Sequence, residues 1–393
     1  MKKIPIDYVI EPILFIYIIS LYLLTYRPGL NMISNAIAAL LISIIWANIL
    51  LSKRKIVINK FLVLYFFFIL SCLASALYAI NQEVVIVWVR TLVLIFLLMI
   101  SFINYIDSPK KLYNFMRSYA LSGFIASVYI LLNSDFTQIS RLGGDLGNVN
   151  TIGMIIGISS AFCFFFILEE KKFLYLPILL VNIMIIMLTG SRKALLFVII
   201  IIVIMMYSKN VIGKGRRIQA IIAILLIVIV FYYTVSNVPF LYQVMGRRIN
   251  NLFDFVFGDG TTEGSMNTRY HMISLGLSWF KDRPLTGYGI NNYRFLYGNI
   301  TGWYTYSHNN IVELLVGVGF LGTIIYYLTN LIPIIKLLKN KNSSYSMINY
   351  TFLSIIIGYL LMSVSLIYYY DKHISIILSV ACVIERIYKT NKK

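Results

Sequence analysis

The chain alternates between long apolar runs and short polar connections, a pattern typical of helices that cross a membrane. About 20 apolar residues in a helix span a hydrocarbon core of roughly 30 Å. Runs of about this length lie near residues 9–26, 30–51, 61–80, 84–106, 112–132, 149–168, 173–189, 194–208, 217–235, 309–335, 347–367 and 373–388. The pattern predicts an all-α polytopic membrane protein with about twelve transmembrane helices.

One polar interruption, residues 236–308, is much longer than the others. It divides the chain into residues 1–235, with nine predicted transmembrane helices, the loop itself, and residues 309–393, with three more. Within the loop, residues 267–281 carry apolar side chains at helical spacing, which predicts an amphipathic helix. Loops of this length in compact proteins are usually functional.

The composition supports a membrane protein and excludes several other classes. Hydrophobic residues make up 60% of the chain and charged residues 12%, against about 45–50% and about 25% in soluble domains. A soluble enzyme, a disordered chain and a disulfide-rich secreted scaffold are therefore excluded. The three cysteines lie inside apolar runs without metal-ligand spacing, so we interpret them as small buried hydrophobic residues.

The basic residues predict the orientation in the membrane. The net charge is +19, and most of the 34 lysines and arginines fall in alternate loops, on the side of the N-terminus. Basic loops stay in the cytoplasm, so both termini are predicted inside and the long loop outside. The charge is thus mainly a topological signal, and no nucleic-acid partner is expected. The first run is expected to remain a membrane helix, because no small-residue cleavage site follows it.

Three arginines on the predicted outer side are candidate anion-binding residues. Arg90 lies seven residues into the fourth run, where a charge is costly. A structural role would be an ion pair with Glu83, or extension of the side chain to the membrane surface. A functional role would be binding of an anion in a cavity open to the outside. Arg192 follows a Gly-Ser turn that either anchors the interface or offers N–H groups to a phosphate. Arg141 precedes a glycine-rich stretch that is either an ordinary loop or part of a site.

Of the three histidines, His308 is the best candidate for catalysis. His373 and His271 are expected to be structural. His308 directly precedes Asn310 and Glu313, which we interpret as a helix N-cap with a capping-box glutamate. The helix N-terminus and nearby arginines should disfavour its protonation, and a neutral imidazole can act as a general base near neutral pH.

The few carboxylates on the predicted outer side favour chemistry without a metal ion. No pair has the DxD spacing with which many sugar-transferring enzymes hold a divalent cation, and no calcium loop is complete. We therefore expect neither a metal nor another cofactor.

Several short motifs in a fixed order resemble the O-antigen ligase and polymerase superfamily, which includes Wzy-type polysaccharide polymerases. They are residues 148–150 (NVN), 188–192 (LTGSR), 267–269 (NTR), 284–289 (PLTGYG), 308–309 (HN) and 313–322 (ELLVGVGFLG). The resemblance covers roughly residues 140–390. It implies a GT-C-like, metal-independent, inverting glycosyltransferase in the bacterial cytoplasmic membrane, with its site on the extracytoplasmic side.

The resemblance also implies substrates and residue roles. The donor would be an oligosaccharide on polyprenyl diphosphate, and the acceptor another lipid-linked repeat unit. By position, Arg192 and Arg269 would bind the diphosphate and His308 would be the base, whereas Arg90 and Arg141 match less closely. The aromatic residues Trp303, Tyr304 and Tyr288 either stack on sugars or belong to an interfacial aromatic belt.

Three functions remain open from the sequence. A polymerase of capsule, O-antigen or exopolysaccharide repeat units is preferred, and it could work with a flippase and a chain-length regulator. A ligase would transfer the chain to a different acceptor. A flippase for lipid-linked oligosaccharides would need cations along a path through both halves of the membrane, whereas Arg90, Arg141, Arg192 and Arg269 all lie on the predicted outer side.

Overall fold

The structure, a computed structural model, describes residues 7–136, 141–207, 264–340 and 344–390, together with 233, 236–237, 239, 242–246 and 250. Within these ranges the chain is helical and contains no strand. The predicted ninth run, 217–235, lies almost entirely outside the described residues, as does most of the first half of the predicted loop.

The helices are numbered here in chain order within the described ranges. They are α1 (Asp7–Leu23), α2 (Asn31–Leu51), α3 (Lys60–Ala74), α4 (Gln82–Tyr105), α5 (Pro109–Leu132), α6 (Val149–Leu168), α7 (Tyr175–Leu188), α8 (Arg192–Met206), α9 (Gly264–Asp282), α10 (Tyr293–Thr301), α11 (Asn310–Lys339), α12 (Ser346–Met362), α13 (Lys372–Ala381) and α14 (Ile384–Thr390). Short 3₁₀ turns lie at Ser75–Tyr78 and Gly144–Leu146.

These helices confirm an all-α membrane protein. Each predicted run outside 217–235 coincides with a helix, although the last run is divided between α13 and α14. Six described helices are long and apolar enough to cross a membrane: α2, α3 with its 3₁₀ turn, α4, α5, α6 and α11. The shorter helices α7 and α12 are also apolar. A total of about twelve spans remains a prediction.

Contacts between helix ends define two ends of the bundle. At one end, called here the site end, the Tyr26 hydroxyl donates to Asp371 at 2.7 Å and the Asn310 N–H donates to the Ser363 carbonyl at 2.8 Å. At the opposite end, Arg54 pairs with Asp107 at 2.7 Å. The basic-loop pattern predicts that the site end faces outside.

Helix α11 is broken near its beginning, at Gly319. This residue has φ 66° and ψ −170°, so the helix continues on both sides of a kink. The freed backbone groups bind the segment 284–289: Tyr288 N–H donates to the Val316 carbonyl at 2.7 Å, and Phe320 N–H donates to the Pro284 carbonyl at 2.8 Å. Such a break is tolerated at membrane depth because another part of the protein satisfies the backbone.

The glycines of these two motifs permit the close approach of the chains. A Cβ at Gly319 would lie 2.2 Å from the Leu285 carbonyl oxygen, and one at Gly287 would lie 2.6 Å from the Val316 oxygen. Both glycines also have positive φ, which disfavours any other residue. Residues 284–289 (PLTGYG) therefore cross the break in α11 and bind its backbone; this segment is called here the strap.

The end of the predicted loop is also anchored to the α3–α4 connection. The Asn292 side chain accepts from Asn81 N–H at 2.7 Å, and Ile290 N–H donates to the Ser75 hydroxyl at 3.1 Å. Residues 267–281, predicted as an amphipathic helix, lie within α9, which packs on the first part of α11 through a small apolar cluster. The loop therefore holds α9 and the residues before α11 close to the site end.

Candidate functional site

His308 lies in the short connection between α10 and α11, in an unusual backbone conformation. Its φ is 55°, a left-handed value that few residues other than glycine, asparagine and aspartate adopt. The side chain is half-buried. Non-glycine residues in this region often cluster at functional sites, where the surrounding structure maintains the strain.

The residues after His308 explain how the backbone is held, and they correct the predicted cap. The N-cap of α11 is Asn309, whose side chain accepts from Ile311 N–H at 2.9 Å and Val312 N–H at 3.1 Å. The predicted cap, Asn310, is the first helical residue. Its side chain binds another loop, so sequence spacing placed the cap one residue too late.

Glu313 is buried and serves as a support for the histidine loop. One carboxylate oxygen accepts from Ser307 N–H at 2.9 Å. A capping-box glutamate would instead accept from the N-cap residue itself, so that part of the prediction is wrong. The contact fixes the residue directly before His308, and truncation of Glu313 should loosen the imidazole.

The connection between α12 and α13 covers the histidine loop. The Asn310 side-chain oxygen accepts from Tyr368 N–H at 2.9 Å and from Tyr369 N–H at 3.1 Å. From another direction, the Lys193 ammonium group donates to the Ser365 carbonyl. Residues from α8, α11 and the α12–α13 connection therefore meet at His308.

The positive charges near His308 determine its protonation state. Burial, followed by the charges of Arg269 and Lys193, lowers the pKa of His308 to about 4. The imidazole is therefore neutral at physiological pH, as predicted, but its pKa lies well below the near-neutral value expected from the sequence. The difference arises because burial adds to the effect of the cations.

Three of the four predicted donor-binding arginines converge on one group. The charges of Arg269, Arg141 and Arg192 all act on the Lys193 ammonium group, in that order of strength. Lys193 directly follows the motif 188–192 and is not among the candidate residues predicted from the sequence. The structure thus places Arg269 and Lys193 beside the neutral imidazole, and Arg141 and Arg192 beside Lys193, an arrangement suited to a ligand with several negative charges. Burial and the three arginine charges lower the pKa of Lys193 to about 7, so a bound anion would favour its protonated form.

The turn before Arg192 does not present its first N–H groups to a ligand. Gly190 N–H donates to the Met187 carbonyl at 2.9 Å, and Ser191 N–H donates to the Thr189 hydroxyl at 3.3 Å. The proposed cradle of N–H groups is therefore incorrect at these two positions. Contacts to an anion here must come mainly from the half-buried Arg192 side chain.

Arg141 combines a structural role with its electrostatic one. Its guanidinium donates to the Thr189 carbonyl at 2.6 Å and to the Asn150 side chain at 2.9 Å. These contacts connect the glycine-rich stretch to the turn that carries Arg192. Arg141 therefore positions the cation cluster, and at least two of its five N–H donors are directed at the protein.

Tyr306 is a site residue that the sequence did not single out. Its ring lies against the imidazole of His308, with centroids 4.2 Å apart. Burial raises the pKa of Tyr306, although the charge of Arg269 and a hydrogen bond with Asn148 oppose this rise. The sequence signal for Tyr306 is its position two residues before His308.

The three aromatic residues proposed for sugar stacking differ in their settings. Trp303 is 54% exposed and Tyr304 is 59% exposed, so both side chains are accessible to a ligand. Tyr288 is half-buried, and the Arg283 guanidinium lies 4.6 Å from its ring centroid. Contact of Tyr288 with a sugar would compete with that cation–π pair.

Arg90 stands apart from the other predicted site residues. It lines a cavity of about 580 Å³ between α2, α4 and the start of α13. Within the described part of the chain, Arg90 forms no ion pair with Glu83, so that alternative is not supported. The charges that lower the pKa of His308 do not include Arg90.

The two remaining histidines lie outside this cluster. His373 is fully buried, with the Tyr22 ring centroid at 5.0 Å and that of Tyr119 at 5.8 Å, consistent with the structural role expected for it. His271, on α9, lies against Tyr297 of α10, and the two ring centroids are 6.2 Å apart. No group of three metal-ligating side chains occurs among the described residues.

Comparison with known proteins identifies a related family. A sequence model of the O-antigen ligase family matches residues 177–327. This match over residues 177–327 supports the resemblance of the chain to the O-antigen ligase and polymerase superfamily. The segment matched by the O-antigen ligase model contains Arg192, Arg269 and His308 but neither Arg90 nor Arg141. A search of curated proteins found no match. Members of this superfamily are membrane proteins of the glycosyltransferase type.

Proposed function

We propose that this protein is a polymerase of polysaccharide repeat units. It transfers a glycan from polyprenyl diphosphate to a hydroxyl of another lipid-linked repeat unit at the outer face of the bacterial cytoplasmic membrane. The single observation that carries the proposal is the neutral imidazole of His308 beside Arg269 and Lys193. Base and cations lie within one site, as this chemistry requires.

The reaction needs one proton acceptor and a stabilised leaving group. The acceptor hydroxyl oxygen forms a bond to the anomeric carbon while the bond from that carbon to the phosphate oxygen breaks. The hydroxyl proton passes to a ring nitrogen of His308, and the bond electrons leave with the diphosphate. Attack from the face opposite the leaving group inverts the anomeric centre. Cations placed where the negative charge develops can supply several kcal/mol of stabilisation.

Binding of the donor would also activate the base. A diphosphate beside Arg269 and Lys193 offsets the positive charge that lowers the pKa of His308. The imidazole would then become a stronger base only when the substrate is present. In the free protein, the same charges keep the imidazole neutral and ready to accept a proton.

The alternatives share parts of this site. A ligase would use the same donor and base but a different acceptor. The abundance of Ile, Lys, Asn and Tyr suggests an AT-rich genome and, with the family, a capsule-forming bacterium without lipid A, which favours a polymerase. A flippase would not need a neutral base beside the cation cluster. A flippase and a chain-length regulator are instead proposed as partners.

The decisive experiment is incubation of purified protein with a lipid-diphosphate-linked repeat unit, without nucleotide or added metal. A polymerase produces a ladder of glycan lengths on a gel. Under the same conditions a ligase gives no ladder and transfers glycan only when a distinct acceptor is added. A flippase moves the substrate across vesicle membranes without changing its length, which would overturn the proposal.

A further inference from the structure

The cavity beside Arg90 is distinct from the cation cluster at His308. It measures about 580 Å³ and is lined by residues from the α1–α2 connection, α2, α4 and the start of α13. The cations of the His308 cluster come instead from the α5–α6 connection, α8 and α9. A cavity of about 300–1,000 Å³ is the size of typical small-molecule sites.

The charges in the cavity favour an anion. Arg90 is exposed, and no hydrogen bond or ion pair links its side chain to another described residue. Lys372 is only 7% exposed, and its ammonium group uses one donor on Asn35, at 2.5 Å. A phosphate between these two groups would gain charge-assisted hydrogen bonds.

The nearby acid offsets only part of the positive charge of this site, because one carboxylate, which acts on Lys372, faces two cations. Asp371 also lines the cavity, but both of its carboxylate oxygens already accept hydrogen bonds. One accepts from the Tyr26 hydroxyl at 2.7 Å, and the other accepts from Ile374 N–H at 3.1 Å. The carboxylate thus caps α13, while the cations retain donors for a ligand.

The cavity also has walls suited to the other parts of a lipid-linked sugar. Trp88 and Tyr370 lie together with ring centroids 4.4 Å apart, and both line the cavity. Aromatic faces are amphipathic surfaces on which a sugar ring can rest. Val87, at the edge of the cavity, is 56% exposed and offers an apolar surface to a lipid chain.

The wall of the cavity continues to the histidine loop. Tyr370, which lines the cavity, directly follows Tyr369, whose N–H donates to the Asn310 side chain at 3.1 Å, two residues after His308. The Tyr306 ring in turn lies 4.2 Å from the His308 ring, measured between centroids. A sugar chain held by its phosphate at Arg90 could therefore extend along Tyr370 and Tyr306 towards the base.

We propose that this cavity binds the phosphate-bearing head group of the acceptor, a second lipid-linked glycan, while the donor diphosphate binds at the His308 cluster. The assignment rests on the proposed polymerase function, since a polymerase must hold two lipid-linked substrates at once. Arg90 and Lys372 hold the acceptor phosphate, and Trp88 with Tyr370 supports the first sugar. The acceptor hydroxyl then approaches His308 from the side of Tyr306.

The test separates the two substrates by length. Wild-type protein and the variants Arg90→Gln, Arg90→Lys and Lys281→Gln are placed in nanodiscs, with a pre-extended lipid-linked polymer as donor and one short-chain lipid-linked repeat unit as acceptor. Lys281 is an exposed cation on α9 that does not line the cavity, so it is the matched control.

We expect Arg90→Gln to raise the KM for the acceptor roughly 10- to 100-fold, with a much smaller effect on kcat and on the KM for the donor. Arg90→Lys should retain part of the acceptor affinity, and Lys281→Gln should behave as wild type. Size-exclusion chromatography and thermal melting of Arg90→Gln verify the fold. An unchanged acceptor KM in a folded Arg90→Gln protein overturns the cavity assignment and leaves the proposed function intact.

A binding measurement makes the inference independent of turnover. Short-chain polyprenyl-diphosphate-linked monosaccharide is titrated into each protein, and phosphatidylglycerol serves as the competitor. Two bound equivalents in wild type, one in Arg90→Gln and one in Arg269→Gln support two head-group sites. Equal displacement by phosphatidylglycerol would identify an ordinary phospholipid site and overturn the proposal. Arg90-dependent binding in a wild-type protein without polymerising activity would refute the proposed function but support the cavity as a head-group site.

Discussion

The Tyr306 ring covers the imidazole of His308, with the two centroids 4.2 Å apart and the planes inclined by 47°. This contact removes one face of the imidazole from solvent, and burial is the largest cause of its lowered pKa. The histidine loop is also close to the wall of the cavity at Arg90, because Tyr370 lines that cavity and the preceding residue, Tyr369, donates its N–H to Asn310 at 3.1 Å. The ring pair therefore shapes the basicity of His308 next to this wall.

His308→Asn should abolish most transfer while preserving the backbone. Asparagine tolerates the left-handed conformation at φ 55°, and its amide can hydrogen-bond but cannot accept the proton. We expect the rate to fall about 10²–10⁴-fold with donor affinity largely retained. Turnover and donor binding are measured separately, with His271→Asn on α9 as control. Near-normal turnover of His308→Asn would exclude the base role.

The pH profile should distinguish His308 from an ordinary histidine. Since its pKa is about 4 in the free protein, kcat/KM should fall below about pH 5, rather than near the usual histidine value of about 6.5. With donor bound, the acid limb of kcat should move to higher pH, because the diphosphate offsets nearby positive charge. If kcat and kcat/KM fall at the same acidic pH, the bound donor does not raise the pKa of His308, and donor activation of the base is contradicted.

Arg269→Gln should raise the pKa of His308. Removal of the positive charge stabilises the imidazolium, so the titration moves upward from about 4. The chain has three histidines, so NMR of histidine-labelled protein can follow each one. His271 provides an internal control within the same helix as Arg269. If the titration midpoint of the His308 resonance does not rise in Arg269→Gln, Arg269 lies too far from the imidazole for the proposed role.

Arg192→Lys should lose most activity while the protein still folds. Lysine retains the charge but not the planar fork that binds two phosphate oxygens. The loss of one such contact should cost about 1.5–3 kcal/mol, or roughly 10- to 100-fold in kcat/KM. Steady-state kinetics with varied donor concentration measure this change, and Lys281→Gln serves as the control. Unchanged kinetics would return Arg192 to the role of an interface anchor.

Gly319→Ala should destabilise the protein by disrupting the strap across α11. The new Cβ would lie 2.2 Å from the Leu285 carbonyl oxygen, and φ is 66°. Gly302→Ala is the matched control, since its φ is 76° and nothing lies within 4 Å of the added Cβ. Gly302→Ala should lose only the stability that a positive φ costs a residue with a Cβ, about 1 kcal/mol. A clearly larger fall in Tm for Gly319→Ala than for Gly302→Ala therefore measures the clash with Leu285. Equal falls in Tm for the two variants would show that the strap moves away from the new Cβ without a further loss of stability.

The sequence by itself determined the helical membrane architecture and the order of the motifs. Apolar runs predicted helices because transfer of a helix into lipid depends on its own length and composition. The runs outside 217–235 accordingly match described helices closely. The sequence also predicted a neutral His308, although burial, the largest cause of its lowered pKa, is a product of the tertiary packing. Orientation and a total of about twelve spans stay predictions from the sequence.

The tertiary structure decided which residues meet. Lys193 and Arg269 are far apart in sequence, and only packing of α8, α9 and the α12–α13 connection brings both to His308. Arg90 carries the same charge but lies in another cavity, a separation that no motif spacing encodes. The depth of the His308 pKa shift and the strap at Gly319 likewise depend on burial and backbone contact. Local hydropathy is a property of each segment, whereas a site is a property of the distances between segments.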